Sequence, residues 1–300
     1  MNREIVITVA TYKRPDLLSE LLRSLEKEHR RTAFTVIVID NDASGSGEAV
    51  VASSDLPITY AIEPVPGIVA ARNAALDRLP ATATHVVFVD DDETVSEGWL
   101  DELLRAEERY GADVVCGPVL SVFPDDSPRW IRDGGYIQRS NESEGVTNRV
   151  PATNNTLVTT ALLHRAGDPR FDEAFSHTGG SDTAFFTPLI AGGARVAWAP
   201  SALVSERVPS NRLTFKWVMR RYIRVNNVSG RMMLATTSRP VLLSKALASI
   251  AYGVAKTTFA VVRGKGLRLV DTRYVTRGLG WLGAVSDRLV QEYSRPGKDG

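Results

Sequence analysis

A run of four acidic residues follows an apolar segment in the first third of the chain. Asp90-Asp91-Asp92-Glu93 comes directly after the apolar residues 85–89. Adjacent carboxylates repel one another, so the arrangement is costly unless a cation lies among them. Mg²⁺ and Mn²⁺ prefer oxygen ligands, and Mg²⁺ usually shares its coordination with substrate phosphates. The run therefore predicts a divalent-metal and diphosphate site; the alternative is a solvated acidic loop that precedes the next helix.

Two further polar segments also follow apolar, β-branched segments. Thr11-Tyr12-Lys13-Arg14 comes after residues 5–9, and Asp40-Asn41-Asp42 comes after residues 35–39. Clusters of Asn and Asp after a strand usually form a turn. A carboxylate at this place could also accept a hydrogen bond from a nucleobase imide or a ribose hydroxyl.

A third segment combines a glycine with an arginine at a predicted helix start. Gly67 opens the segment 67–73, whose first amide groups would point outward and could face an anion. Arg72 lies about one turn further and could hold a phosphate or the base. The alternative is an ordinary helix start with a surface arginine.

A fourth segment, Gly179-Gly180-Ser181-Asp182, places a carboxylate at the start of another predicted helix. Two glycines allow the backbone to approach a ligand closely. A carboxylate held at this position is suited to act as a general base. An aspartate that caps the helix is the alternative, and the two roles are compatible.

Short β-branched segments alternate with amphipathic segments over the first 120 residues. The predicted strands are residues 5–9, 35–39, 58–62, 85–89 and 113–116. The first predicted helix begins at Pro15. Two later helices are predicted at 68–79 and 96–110, the second with Ser96 as its N-cap. This alternation predicts a largely parallel sheet with helices on both faces, whose ligands lie at the carboxyl ends of the strands. The polar segments fall at those ends.

The second half of the chain shows a weaker pattern. Prolines, glycines and polar residues across 121–152 predict a long surface loop. Residues 153–206 predict a second half of mixed helices and strands, with a short strand at 195–198. The single cysteine, Cys116, excludes an internal disulfide, and no secretory apolar core follows Met1, so the predicted compartment is the cytoplasm.

Charge is distributed unevenly along the chain. Residues 207–300 hold 18 Lys and Arg against 4 Asp and Glu, although the whole chain has a net charge of only +1. A basic tail suggests nucleic acid or an anionic membrane surface as a partner. Nucleic acid is disfavoured, because the basic residues are interleaved with apolar residues rather than with a regular stacking platform.

Residues 241–262 predict an amphipathic helix in this tail. At helical spacing, the polar positions share one face: Lys245, Ser249, Tyr252, Lys256 and Arg263. The apolar positions lie on the opposite face: Leu243, Leu247, Ile250 and Val254. Trp281, Val285 and Leu289 form a second apolar stripe. Such helices lie at a membrane surface rather than cross it, which would place the protein peripherally at the cytoplasmic face. A helical pair that packs on the catalytic body is the alternative.

Taken in order, these segments resemble family 2 glycosyltransferases of the GT-A fold, over residues 3–230. The similarity is to bacterial exopolysaccharide and cell-wall transferases of the succinoglycan-synthesis type. It implies an α/β fold with a mostly parallel, Rossmann-like central sheet flanked by helices, followed by a basic helical extension. The expected division is a nucleotide-binding half at 1–120, an acceptor half at 121–230 and a tail at 231–300.

The resemblance also implies an inverting, metal-dependent transfer from a nucleoside-diphosphate sugar, usually a UDP-sugar. Asp182 matches the catalytic base, although Ser181 stands where the family has a glutamate. Asp92 matches a ligand of Mn²⁺ or Mg²⁺, and Glu206 is a second candidate. The expected donor-binding residues are Thr11, Tyr12, Arg14, Asp40, Arg72, Asp90 and Asp91. The segment that bears Arg212, Trp217, Arg220 and Arg221 resembles one near the diphosphate and the acceptor, or it is a membrane-facing surface.

The acceptor is expected to be a saccharide, either water-soluble or linked to a lipid. One competing function is that of a nucleotidyltransferase that makes the sugar nucleotide, but no glycine-rich phosphate loop follows the first strand. A second is a non-catalytic membrane-binding module, which leaves the acidic strand ends unexplained.

Overall fold

A computed structural model describes residues 3–138, 141–176, 179–263 and 272–288. The chain divides into two compact units. The first contains Met1–Val122, Gln138–Ser176 and Ser181–Arg207, and the second contains Phe123–Ile137, His177–Gly180 and Val208–Gly300.

The first unit contains the strands and most of the short helices. Its strands are β1 (Ile5–Thr11), β2 (Thr35–Asp40), β3 (Ile58–Ile62), β4 (His85–Phe88), β5 (Glu93–Val95), β6 (Val114–Cys116), β7 (Val119–Val122), β8 (Gly145–Val146), β9 (Thr156–Thr159), β10 (Val196–Trp198) and β11 (Val204–Arg207). The α-helices of the described residues in both units are α1 (Pro15–His29), α2 (Glu48–Ala52), α3 (Ile68–Leu76), α4 (Trp99–Tyr110), α5 (Arg129–Arg132), α6 (Thr160–Arg165), α7 (Ser181–Ala191), α8 (Phe215–Met233), α9 (Arg239–Val262) and α10 (Arg273–Val285). Helices α5 and α8–α10 belong to the second unit.

The main sheet has the strand order β3-β2-β1-β4-β9-β6-β10-β8. Strands β1 to β4 pair in parallel, as do β6 and β10, whereas β9 runs antiparallel to both of its neighbours. A second sheet has the order β5-β11-β7. The predicted α/β fold with a largely parallel sheet is therefore confirmed.

Alternation along β1 explains how this sheet is covered on both faces. Ile5, Ile7 and Val9 belong to one apolar cluster, together with leucines of α1 and α4. Val6, between them, belongs to a second cluster with alanines of α3. Successive side chains of a strand point to opposite faces, so a strand covered by helices on both sides is apolar throughout.

The observed elements differ from the predicted ones mainly at their ends and in the second half. Helix α4 begins at Trp99 rather than at Ser96, because Gly98 adopts a left-handed conformation with φ of 76°. Strands β5, β9 and β11 have no counterpart among the predicted strands. The predicted loop 121–152 contains α5 and the short strand β8. Short elements such as these carry little periodic signal.

Asn155 joins three separate segments of the first unit. Its side-chain amide donates hydrogen bonds to the carbonyl oxygens of Pro118 and Ala202, at 3.0 and 2.7 Å, and accepts one from Trp99 Nε1 at 2.6 Å. The residue is fully buried, with a φ of 57° that asparagine tolerates better than most residues. It therefore fixes the connections that flank β7 and β11 against α4.

Asn155→Ala is expected to lower the free energy of unfolding by about 3 kcal/mol, because it removes the buried acceptor of Trp99 Nε1 and the side-chain donor to the carbonyl oxygens of Pro118 and Ala202. Urea denaturation measures this change. Asn226→Ala is the control, since the Asn226 amide bonds the Tyr222 carbonyl oxygen within its own helix; a loss of about 1 kcal/mol or less is expected there. Equal losses in the two variants would contradict the bridging role.

The second unit is mainly helical, with α8 and α9 both packed on α10. Small residues allow the close approach: a Cβ on Gly230 would lie 2.9 Å from Trp281 Cδ1, and a Cβ on Gly278 would lie 2.4 Å from Ile250 Cγ1. No helix among the described residues is long and apolar enough to span a bilayer. The expected domain boundary at residue 230 falls inside α8.

Candidate active site

The carboxyl ends of β1 and β4 bring the first polar segment to the acidic run. Because the two strands are parallel neighbours, Thr11 and the residues after Phe88 lie at the same edge of the sheet. Thr11 Oγ1 donates a hydrogen bond to Asp91 Oδ2 at 2.8 Å. Arg14 Nη1 lies 3.2 Å from both Asp91 Oδ1 and Asp92 Oδ2. The structure thus brings together Thr11, Arg14 and two of the predicted aspartates.

The consecutive acidic residues have different surroundings. The Asp90 side chain is 39% exposed, whereas Asp91 is buried and paired with Arg14 and Thr11. Glu93 is buried too, and its carboxylate accepts hydrogen bonds from the Asp90 amide at 2.9 Å and from Asn154 Nδ2 at 3.3 Å. Asp91 and Glu93 therefore stabilise the turn, and Asp90 is the most accessible of the three.

Ionisation of Asp92 is disfavoured in the folded protein. Burial is the largest cause that raises its pKa to about 7. The negative charges of Asp90 and Glu206 act in the same direction, and Arg14 opposes them. Glu206 lies on β11, where it pairs with Glu93 of β5. Excess negative charge at Asp92 is the electrostatic condition that a bound cation would relieve.

The carboxylates do not form a complete metal cage by themselves. Within the described residues, no group of three or more His, Cys, Asp or Glu side chains is arranged to hold one ion. Mg²⁺ commonly binds through one or two carboxylates and completes its coordination with water and substrate phosphates. Asp92 and its acidic neighbours fit that mode of binding better than an all-protein site.

Asp40 organises the loop after β2. Its carboxylate is fully buried and accepts hydrogen bonds from the Gly47 amide at 2.6 Å, the Asp42 amide at 2.9 Å and the Tyr60 hydroxyl at 2.9 Å. Burial and this hydrogen bond raise the pKa of Tyr60. Asp40 is therefore engaged by protein donors, and the contact with a nucleobase remains a prediction.

Asn41 connects the same loop to the start of α3. Its amide donates to the carbonyl oxygens of Glu63 and Val65, and its oxygen accepts from the Gly67 amide at 2.8 Å. Gly67 has a φ of 132°, which favours glycine. Asn41 thereby positions the predicted anion-facing helix start, a role that its turn-like sequence context did not reveal.

Arg72 joins the acidic run to the second glycine-containing segment. Its Nη1 lies 2.7 Å from Asp182 Oδ1, and its Nη2 lies 3.5 Å from Asp90 Oδ1. The guanidinium also lies over the ring of Phe171, with 5.7 Å between Cζ and the ring centroid. A single cation thus spans the two carboxylates that the sequence assigned to different functions.

Asp182 lies in the first turn of α7, where it is held through one oxygen. Oδ1 accepts hydrogen bonds from Arg72 at 2.7 Å, from Thr153 Oγ1 at 3.0 Å and from Ser181 Oγ at 3.4 Å. Within the described part of the chain, the hydrogen bonds of this carboxylate are made by Oδ1, and the side chain is 27% exposed. Asp182 is thus held at Oδ1 and partly exposed to solvent.

Sequence reasoning missed Thr153, which is buried and lies before β9. Only its closeness to the Asn154-Asn155 pair set it apart in the sequence. Ser181, which departs from the family pattern, donates to Asp182 instead of adding a second carboxylate.

The remaining predicted residues have other contacts than those around Arg72, Asp90 and Asp182. Tyr12 is half-buried, with Lys13 Nζ 5.4 Å from its ring centroid. In the second unit, the guanidinium groups of Arg212 and Arg221 lie 5.8 and 5.2 Å from the Trp217 ring centroid.

A largely parallel sheet carries an acidic run at its strand ends, and an arginine joins that run to a second carboxylate, as expected for a glycosyltransferase of the GT-A fold. The model of the family "Glycosyl transferase family 2" matches residues 6–168, and this chain belongs to that family. The predicted enzyme class is thus confirmed.

Similar proteins agree with this assignment. The succinoglycan biosynthesis protein ExoM of Rhizobium meliloti (strain 1021) is 37% identical over 238 residues, which are 76% of this chain and 75% of ExoM. The crystal structure of residues 1–349 of TarS from S. aureus has a TM-score of 0.56 at 17% identity and covers 95% of this chain and 90% of that one. The same TarS fragment in complex with UDP-GlcNAc has a TM-score of 0.57. The likeness to TarS shows the fold alone, and it supports the predicted GT-A architecture.

Proposed function

We propose that this glycosyltransferase moves a sugar from a UDP-sugar to an acceptor hydroxyl with inversion, and that Asp182 is the general base. The observation that carries the proposal is the Arg72 guanidinium, which connects Asp90 of the acidic run with Asp182. The donor class is supported by the TarS crystals that contain UDP-GlcNAc. A place in polysaccharide biosynthesis is supported by the similarity to ExoM.

The reaction is a single displacement at the anomeric carbon. Asp182 takes the proton of the acceptor hydroxyl through Oδ2, while Oδ1 stays bound to Arg72 and Thr153. The acceptor oxygen forms its bond to the anomeric carbon on the face opposite the nucleotide. The bond to the diphosphate breaks, and UDP leaves with the electron pair. Arg14 and Arg72 place positive charge near the acidic run, where the diphosphate is expected.

A divalent cation, Mn²⁺ or Mg²⁺, is part of this proposal. Asp92 would hold it, with Glu206 as a second candidate, because their mutual repulsion falls when a cation is bound. When bound, such an ion acts as a Lewis acid that stabilises charge on the leaving diphosphate.

A lipid-linked saccharide is the proposed acceptor. The basic C-terminal residues support it, since they favour an anionic membrane surface where such an acceptor is carried. A water-soluble acceptor is the alternative. The competing nucleotidyltransferase function lacks a supporting feature, because β1 is followed by Thr11-Tyr12-Lys13-Arg14 and not by a glycine-rich phosphate loop.

A thermal-shift screen of nucleotide sugars, each with and without Mn²⁺, tests the donor and the metal together. One UDP-sugar is expected to stabilise the protein only when Mn²⁺ is present. A ligand at about 100 times its Kd stabilises the folded state by about 2.7 kcal/mol. Mn²⁺ alone and UMP are the controls, since neither supplies a diphosphate group. If no nucleoside-diphosphate sugar stabilised the protein, with or without Mn²⁺, the result would contradict the proposal.

A further inference from the structure

Helix α9 buries a different face from the one that its sequence predicts. The face packed in the second unit is a line of four buried residues, Leu242, Ala246, Ser249 and Gly253. Ser249 was expected on the polar, exposed face, but its hydroxyl donates to the Tyr274 carbonyl oxygen at 2.9 Å. The small residues Ala246, Ser249 and Gly253 allow α10 to approach here, so α9 packs while large apolar side chains such as Leu247 and Val254 stay exposed.

Those large side chains remain exposed around the rest of the helix. Leu247 is 54% exposed, Val254 53% and Phe259 57%. Between Arg239 and Arg263, the only charged residues are Lys245 and Lys256, which lie 11 positions apart and hence on one flank. We call the exposed apolar part of α9, represented by Leu243, Leu247, Val254, Phe259 and Val262, the α9 surface. An apolar face of this extent marks an interaction site.

Three cations gather on that flank around one tyrosine of α10. The charged groups of Lys256, Arg273 and Arg277 lie 5.1, 4.8 and 4.9 Å from the centroid of the Tyr274 ring. Arg273 also donates to the Tyr274 hydroxyl at 3.0 Å, and Arg277 donates to Ser249 Oγ at 3.1 Å. Within the described residues, neither Arg273 nor Arg277 forms an ion pair with a carboxylate. This cationic cluster therefore attracts anions.

Tyr252 lies between the two features. It is 54% exposed, and its ring makes an edge contact with Tyr274, with 4.8 Å between the centroids. Tyrosine favours the interface between lipid and water, because its ring is apolar and its hydroxyl is polar. An apolar surface, an interfacial tyrosine and a cationic flank follow one another around α9, as in helices that lie in the plane of a membrane.

We propose that the α9 surface inserts shallowly into an anionic phospholipid bilayer, while Lys256, Arg273 and Arg277 contact lipid phosphates. A second copy of the chain is a poorer occupant. A two-fold contact through α9 brings two cationic flanks towards each other, and residues 207–300 contain few acidic residues to compensate. Membrane docking would bring the enzyme to a lipid-linked acceptor, so its functional role rests on the proposed function. The experiment below measures vesicle binding alone and does not depend on the acceptor.

Vesicle flotation of the full chain tests the proposal. The wild-type protein is expected to float with vesicles of phosphatidylcholine and phosphatidylglycerol, and much less with phosphatidylcholine alone. The double variant Leu247→Asp/Val254→Asp is expected to bind the anionic vesicles about tenfold more weakly or worse, because two apolar side chains no longer enter the lipid. Lys256→Gln/Arg273→Gln is expected to lose a similar factor, since each cation near the surface contributes about fivefold.

Val122→Asp/Val146→Asp is the matched control, because both valines are exposed in the first unit, at 48% and 53%. It is expected to float like the wild type. Thermal unfolding of all variants without ligand shows whether each one folds, and UDP-dependent thermal shifts test the donor-binding proposal separately. Flotation that is independent of lipid charge, or that is unchanged in both Leu247→Asp/Val254→Asp and Lys256→Gln/Arg273→Gln, would overturn the proposal. A wild-type dimer that does not float but dissociates on Leu247→Asp/Val254→Asp would instead assign the surface to a second copy.

Discussion

Asp182→Asn is expected to lower kcat for sugar transfer by roughly 10²-fold or more while UDP binding stays nearly intact. Asparagine has almost the same shape, and its side-chain oxygen can still accept hydrogen bonds from Arg72 and Thr153. It cannot take the proton that the acceptor hydroxyl must lose. The loss therefore falls on the chemical step rather than on the donor site. Release of UDP in the presence of donor and acceptor measures it, alongside UDP affinity by calorimetry.

The control for this variant is Asp172→Asn. Asp172 also accepts a local backbone hydrogen bond, from Ala174 at 2.9 Å, but outside the cluster around Arg72. Its kcat is expected to stay within about twofold of the wild type, in line with a surface change. If Asp182→Asn retained most of the wild-type kcat, another group would have to be the base. If it lost UDP binding instead, Asp182 would belong to the donor side.

Asp92→Asn is expected to have two effects of opposite sign. The stabilisation by Mn²⁺ with UDP should disappear, because an amide is a weak ligand for a hard cation. The metal-free protein should become more stable at pH 8. The pKa of Asp92 is raised to about 7 in the folded protein, so its ionisation costs stability as pH rises from about 4 to above 7. Asparagine removes that cost, and the melting temperature rises by roughly 2–4 °C for each kcal/mol relieved.

Thermal unfolding at pH 5 and pH 8, with and without Mn²⁺ and UDP, measures both effects. The gain in metal-free stability should be large at pH 8 and small at pH 5, since the wild-type Asp92 is protonated at the lower pH. Asp55→Asn is the control, because Asp55 is exposed; neither effect is expected there. Retention of the Mn²⁺-dependent shift in Asp92→Asn would remove Asp92 from the proposed metal site.

Local patterns were sufficient for the elements that define the fold. The nearly continuous apolar run of β1 reflects burial on both faces of the sheet, and the leucine spacing of α1 reflects burial of one helix face; both elements were predicted close to their observed bounds. Strand β9 was not predicted, although it lies between β4 and β6 and completes the sheet. Its four residues carry too little periodic signal, and its pairing involves residues far away in the chain.

The sequence by itself determined which residues gather at the strand ends, because parallel strands place their carboxyl ends at one edge of the sheet. It also determined the charge asymmetry of the tail. Only the tertiary structure decided which of those carboxylates are hydrogen-bonded by the protein and which lie among like charges. Asp91 and Asp40 are satisfied by several protein donors, whereas Asp92 shares Arg14 with Asp91 and is buried among like charges. Thr153 and Arg72 meet on one oxygen of Asp182 across long stretches of chain. Hydrogen bonds of this kind depend on distances that no local pattern encodes, and the same is true of the burial of Ser249 against α10.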